Sequence, residues 1–244
     1  DFASGAHSPL QARFAQLARM GCTVFHYDMV GYADSRSINH GNEFNDVEAS
    51  LRLQNKMGLQ TWNSLRSLDF IASLPEVDAT RIGVTGASGG GTQTFMLCAL
   101  DPRPAVAFPA VMVSTDMQGG CHCENADYLR IGINNVAIAA AFAPRPLGMV
   151  GADDWTINIE TTGLPELKQI YSLYGNADLV DAKTYKQFGH NYNQWSRELM
   201  YRWFATHFKL APSAPLDQLD FWPLTKAELT IFNEQNPEPA DSLK

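Results

Sequence analysis

Arg81-Ile82-Gly83-Val84-Thr85-Gly86-Ala87-Ser88-Gly89-Gly90-Gly91 reads as a β-strand that runs into Gly-x-Ser-x-Gly and opens a helix. On an open α/β sheet this order makes a serine a nucleophile: the strand stops abruptly, and the turn lifts the Ser88 hydroxyl clear of neighbouring backbone. Gly86 and Gly90 remove Cβ atoms that would clash there. Gly89 offers its backbone N–H, at a helix N-terminus, to a developing oxyanion. Other glycine-rich motifs fit worse. A P-loop needs lysine after its last glycine, where this chain has Thr92, and Ser88 occupies the second glycine slot of G-x-G-x-x-G. A plain glycine-rich turn also fits the pentapeptide taken alone, so its partners must decide.

A chain of 244 residues, 45% hydrophobic, suits one large α/β domain with a substantial core. Its net charge of −8 argues against nucleic acid and anionic membrane surfaces as partners. The longest apolar run, Val136 to Ala143, is too short for a membrane span. Cys22, Cys98, Cys121 and Cys123 are too few for a disulfide scaffold at this length. Localisation stays unassigned, and an upstream segment removed before Asp1 would be consistent with a secreted or periplasmic protein.

Ser8-Pro9, then Leu10, Phe14 and Leu17, closed by Gly21, predicts a capped amphipathic helix. Strands are expected at 22–27, 81–86, 105–113, 146–151 and 179–187, with helices at 51–74, 89–100, up to 142, 164–174 and 193–208. Residues 29–50 and 114–125 read as irregular, functional loops. Such alternation implies a mostly parallel sheet with helices on both faces, whose chemistry collects at the strands' carboxyl ends. Residues 1–210 are expected to form the catalytic domain, and the Pro-rich 211–244 a tail packed on its surface.

Two later strand ends supply partners for Ser88. The strand at 146–151 ends in Gly151-Ala152-Asp153-Asp154-Trp155, and that at 179–187 in Phe188-Gly189-His190-Asn191-Tyr192-Asn193. In α/β-hydrolases the triad arrives in the order Ser, acid, His, each at a strand end. Ser88, Asp154 and His190 keep that order; the spacing from Gly151 favours Asp154 over Asp153. His190 would take the serine proton as general base, and the carboxylate would orient the imidazole. Loop aspartates are more often caps, and histidines after strands more often turn residues. Type, order and strand-end position coinciding three times outweigh that.

The segments at 8–35 (SPLQARFAQLARMGCTVFHYDMVGYADS), 59–70 (LQTWNSLRSLDF), 81–95 (RIGVTGASGGGTQTF) and 188–193 (FGHNYN) resemble the acetyl xylan esterase-like branch of bacterial α/β-hydrolases. Dienelactone hydrolases and prolyl-oligopeptidase-type domains are relatives of that branch. The resemblance implies an α/β-hydrolase core and carboxylic-ester hydrolysis, acting on small or acetylated esters without a cofactor. It also implies eight strands, of which the five expected here match the last five. The missing third strand would lie between 22–27 and 81–86, so the chain is expected to be the C-terminal part of the fold or to pair with an upstream segment or another copy. The second oxyanion donor would come from a loop ahead of residue 8.

Cys121-His122-Cys123-Glu124-Asn125 invites a zinc reading, but adjacent ligands in one extended segment cannot all face one ion and no second ligand pair is apparent. No metal site is therefore assigned, and the segment is expected to wall the pocket. Tyr32 and Trp155 are expected in the substrate pocket, Trp62 and Trp195 in the core. The alternatives left open are a peptidase or lactonase with the same triad, and a catalytically silent hydrolase-fold binding protein.

Overall fold

A computed structural model describes residues 7–117, 119–129, 131–211 and 215–240. Helix α1 (Ser8–Arg19) has Pro9 in its first turn, where the fixed φ is already helical and the missing N–H costs nothing. Helices α2 (Val47–Leu51) and α3 (Lys56–Ser73) replace the single helix expected over 51–74. The chain breaks at Leu53, with φ +56°, and restarts where the Asn55 side chain accepts from the Gly58 N–H. Then come β1 (Ile82–Ala87), α4 (Gly89–Leu100), β2 (Pro104–Ala110), α5 (Asn135–Ala140), β3 (Leu147–Ala152), α6 (Gly163–Ser172), β4 (Val180–Tyr185), α7 (Gln194–His207) and α8 (Lys226–Leu229).

The four strands pair in parallel in the order β1-β2-β3-β4. Strand side chains alternate between faces, so each strand feeds two cores. Ala107, Leu147, Met149 and Val180 join Phe95, Phe142, Leu167 and Tyr171, beneath α4, α5 and α6. Val106, Phe108 and Val150 meet Leu17, Met200, Tyr201 and Phe204 from α1 and α7. Helices thus cover both faces, as the alternation predicts. β2 ends earlier than expected because Val111 turns away at φ +47°.

Two expectations are corrected. Residues 22–27 form no strand, although their composition suits one. A strand needs a neighbour at about 4.8 Å with which to exchange backbone hydrogen bonds. Instead this segment faces β1 across a cavity of about 1180 Å³ lined by both. Among the described residues β1 has a ladder only with β2, and Tyr27 is anchored by its hydroxyl to Ser64 of α3 at 2.7 Å. Trp62 and Trp195 are 55% and 58% exposed rather than core. The inward stripe of α3 runs through Met57, Gln60, Thr61, Ser64 and Leu68, which turns Trp62 outward under the Arg66 guanidinium at 4.5 Å. On α7 the stripe is Ser196, Arg197, Met200, Tyr201 and Phe204, and Trp195 falls outside it.

Two buried glutamines of α1 hold the C-terminal segment. Gln11 exchanges both amide hydrogen bonds with the backbone of Leu224, at 2.9 and 2.7 Å. Gln16 donates to Pro215 O at 2.8 Å and accepts from the Leu219 N–H at 3.3 Å. Each side-chain amide substitutes for a strand edge. Gln16→Leu leaves a carbonyl and an N–H without partners, so a loss of about 1–3 kcal/mol is expected. Urea unfolding measures that loss, and limited proteolysis should show faster cleavage between residues 211 and 225. An unchanged midpoint would contradict the clamp.

Candidate active site

Ser88 sits between β1 and α4 at φ +55°, ψ −125°, a conformation that costs on the order of 1–3 kcal/mol for a residue with a Cβ. Its N–H still donates to Ala110 O at 3.2 Å, and its carbonyl accepts from the Thr92 N–H at 3.0 Å. The residue therefore ends the ladder and starts the helix together. So tight a turn brings Gly90 against Gly86: a Cβ on Gly86 would lie 2.4 Å from Gly90 O. A Cβ on Gly90 itself would meet nothing within 4 Å, which corrects its expected role. It is the backbone of Gly90 that needs the space above Gly86. Gly89, as the first residue of α4, has an N–H with no acceptor inside the helix.

The β3 end is ordered around Asp154. Its Oδ1 accepts from the Thr156 N–H at 2.6 Å and the Thr156 hydroxyl at 2.5 Å, while Thr156 Oγ1 accepts from the Ala152 N–H at 3.0 Å. That leaves Oδ2 for His190 Nδ1, at 2.7 Å. Asp153 is exposed, and its backbone N–H ties this loop to Phe188 O at 2.8 Å. The Asp154 side chain is only 6% exposed and His190 32%, so the pair runs from interior to cavity. Burial alone would raise the Asp154 pKa, but the hydrogen bonds from His190 and Thr156 outweigh it and hold the carboxyl below the ordinary aspartate value.

The histidine loop is fixed from beneath. Thr85 Oγ1 donates to Phe108 O and is 2.7 Å from the Tyr192 hydroxyl, so the phenol donates to Thr85. Burial pushes the Tyr192 hydroxyl up to about 12, keeping it protonated as that donor. The Arg13 guanidinium lies 5.1 Å from the Tyr192 ring centre, and Asn193 caps α7 through the Ser196 N–H at 3.0 Å.

Ser88, Gly89, Tyr32, Glu124 and His190 all line the cavity beside β1. Tyr32 falls in it as expected. Trp155 does not line it; this residue packs on the His190 ring, 4.6 Å between centres, and against the core. Glu124 is the residue that sequence reasoning passed over. It is 5% exposed, accepts from the Ser88 hydroxyl on Oε1 at 3.1 Å, and from the Cys121 N–H on Oε2 at 3.0 Å. It stands in the Cys-His-Cys-Glu-Asn run, but nothing in that run shows that it reaches a serine 36 positions away.

A solved methylesterase, BT1017, superposes with a TM-score of 0.75 at 30% identity, covering 95% of this chain and 50% of that one. A CE15 glucuronoyl esterase from Caldicellulosiruptor kristjansonii (TM-score 0.52, 19% identity, 77% of this chain, 58% of that) shares the fold. So does a Bacteroides fragilis protein titled as a putative acetyl xylan esterase (TM-score 0.57, 16% identity, 73% and 50%). The fold is that of α/β-hydrolase esterases. The family model described as "Glucuronyl esterase, fungi" matches residues 10–123. The Bacillus subtilis protein named "Putative hydrolase YtaP" is 28% identical over 178 residues, 67% of this chain and 58% of its own length. The chain thus spans between half and three fifths of these first relatives.

Two substitutions test the arrangement. Gly86→Ala must displace the backbone of Gly90, and a loss of about 1–3 kcal/mol is expected in chemical denaturation; a neutral result would mean the turn is looser than drawn. Asp154 has a lowered pKa in the folded state. Its stabilisation is therefore present above the unfolded-state pKa and lost as pH falls through the folded-state one. Asp154→Asn is expected to cost about 1–3 kcal/mol at neutral pH, with the gap to wild type closing in acid below the ordinary aspartate range. Urea titrations at stepped pH read this, and a gap independent of pH would refute it.

Proposed function

We propose that the chain is the catalytic region of a serine carboxylesterase that hydrolyses small or acetylated esters, those carried on carbohydrates foremost. The observation that carries the reading is the shared cavity of Ser88, on its strained strand-to-helix turn, and His190, whose Nδ1 is held by Asp154 at 2.7 Å. Names among the similar proteins support the substrate class: a methylesterase, a glucuronoyl esterase and a "putative acetyl xylan esterase".

In this reading Ser88 Oγ attacks the ester carbonyl carbon and His190 Nε2 takes its proton. The carbonyl oxygen becomes an oxyanion that receives the Gly89 N–H. Collapse expels the alcohol, which leaves with the proton from His190. Water, deprotonated by the same imidazole, then hydrolyses the acyl-Ser88 ester and restores the serine. Asp154 stabilises the imidazolium in both halves. Attack requires the Ser88 side chain to leave Glu124 and turn toward His190, a rotation between staggered wells. Hydrogen bonds of this kind often tighten only once substrate is bound.

The contact with Glu124 favours a second reading, in which Ser88 stays locked and the chain is a hydrolase-fold binding protein. One experiment separates the two. A fluorophosphonate probe should label wild type at Ser88, and p-nitrophenyl acetate, methyl glucuronate and acetylated xylo-oligosaccharides form the ester panel. Ser88→Ala and His190→Ala are each expected to lower turnover about 1,000-fold or more. Absence of labelling, with His190→Ala unchanged on every ester, would leave the binding reading.

A further inference from the structure

His40, Cys121 and Cys123 converge although the first is far from the others in sequence. His40 Nε2 and the two Sγ atoms all lie within 4.8 Å of one another. His40 Nε2 is 3.6 Å from Cys121 Sγ. With Zn–N of about 2.0–2.1 Å and Zn–S of about 2.3 Å, a tetrahedral ion needs an N···S edge of about 3.6 Å. A three-residue 3₁₀ turn over His122–Glu124 supplies the geometry, bringing Cys121 and Cys123 to one side. His122 goes to a separate cavity, beside Asn125 and Tyr128. Adjacent residues indeed do not all face one point, yet the ligand absent from that run arrives from the 29–50 loop.

A second feature points to a ligand at Nε2. His40 Nδ1 lies 2.7 Å from Val30 O, and a carbonyl can only accept. Nδ1 therefore carries the proton and Nε2 presents its lone pair to the thiols. Metal-bound histidines are oriented by such a backbone bond on the other ring nitrogen. The loop is held as well, by the buried Lys56 amine donating to His40 O and by the Tyr32 ring, 4.5 Å from the His40 ring.

We propose that His40 Nε2, Cys121 Sγ and Cys123 Sγ bind one zinc ion, leaving its fourth position open to the ester cavity. Two thiolates and a neutral imidazole form a soft, charge-balanced set suited to zinc. His40, Cys121 and Cys123 line the same cavity as Ser88, and a Cβ on Gly89 would lie 3.5 Å from Cys123 Sγ. The ion clamps the 29–50 loop onto the turn that carries Glu124. Its open position takes water or an oxygen of the bound ester's polar substituents. The site stands apart from the ester reading, because its test is metal content.

Protein expressed with added zinc, kept reduced by a phosphine and passed over a chelating resin should retain one zinc per chain by mass spectrometry. Cobalt(II) substitution should give thiolate-to-cobalt charge-transfer absorption with visible bands of a four-coordinate ion. His40→Ala and Cys123→Ser should each weaken zinc at least about 100-fold in competition with a chromophoric chelator, while His122→Ala and Cys22→Ser retain it. Circular dichroism checks the fold of each variant, and the cobalt spectrum of wild type decides should a variant fail to fold. No retained zinc in the reduced wild type, no charge-transfer band, or zinc surviving both His40→Ala and Cys123→Ser would overturn the site.

Discussion

The site depends on one steric constraint, the contact between Gly86 and the backbone of Gly90. A parallel strand and the helix that follows it normally need a connecting loop. Here the chain reverses within Ser88 alone, because no Cβ at Gly86 keeps Gly90 away. That closeness forces Ser88 to φ +55° and puts the first amide of α4 directly after it. The strained Ser88 turn and the position of the Gly89 amide are therefore two results of one contact. The strain is sustained by ladder and helix hydrogen bonds on either side of the residue.

A second constraint shapes the cavity. Among the described residues β1 pairs on one side only, and across its other side lies a space bounded by residues 22–27. That space is lined by polar residues that include Ser88, Glu124 and His190 and by apolar side chains such as Leu17, Val24 and Val84. An unpaired parallel edge is a surface on which another strand can be built. The proposed ester site and the edge of β1 thus line one cavity.

Much of this was legible in the sequence, and the rest was not for identifiable reasons. Strands β1 to β4 and helices α1, α4, α6 and α7 follow from periodicity and turn residues, because local pattern and tertiary packing agree in them. The triad candidates follow from strand ends, since Asp154 and His190 each lie just past a β-rich run. Residues 22–27 have strand composition, but a strand is a relation between segments and none of the described residues forms a ladder with them. Trp62 and Trp195 were misplaced because an aromatic at helical spacing fits two stripes, and neighbours alone choose between them. Glu124 and His40 act through loops whose paths no periodicity encodes.

Ser88 donates to Glu124 and shares its cavity with His190, and on the proposed esterase reading these two groups differ in what they favour. Glu124 Oε1 accepts a hydrogen bond from the Ser88 hydroxyl, which attack by Oγ on a carbonyl would break. That bond would stabilise the ground state and raise the barrier by whatever it contributes, on the order of 0.5–1.5 kcal/mol for a typical hydrogen bond. His190, held by Asp154, would contribute most as the imidazolium of the proposed mechanism. Only interactions that strengthen toward the transition state accelerate a reaction. On the proposed esterase reading, a substrate that displaces Ser88 from Glu124 on binding would remove the unfavourable bond before the chemical step. Esters with a polar group able to donate to Glu124 would then gain rate over those without one, a selectivity located in the turn at 121–124 rather than in the proposed triad.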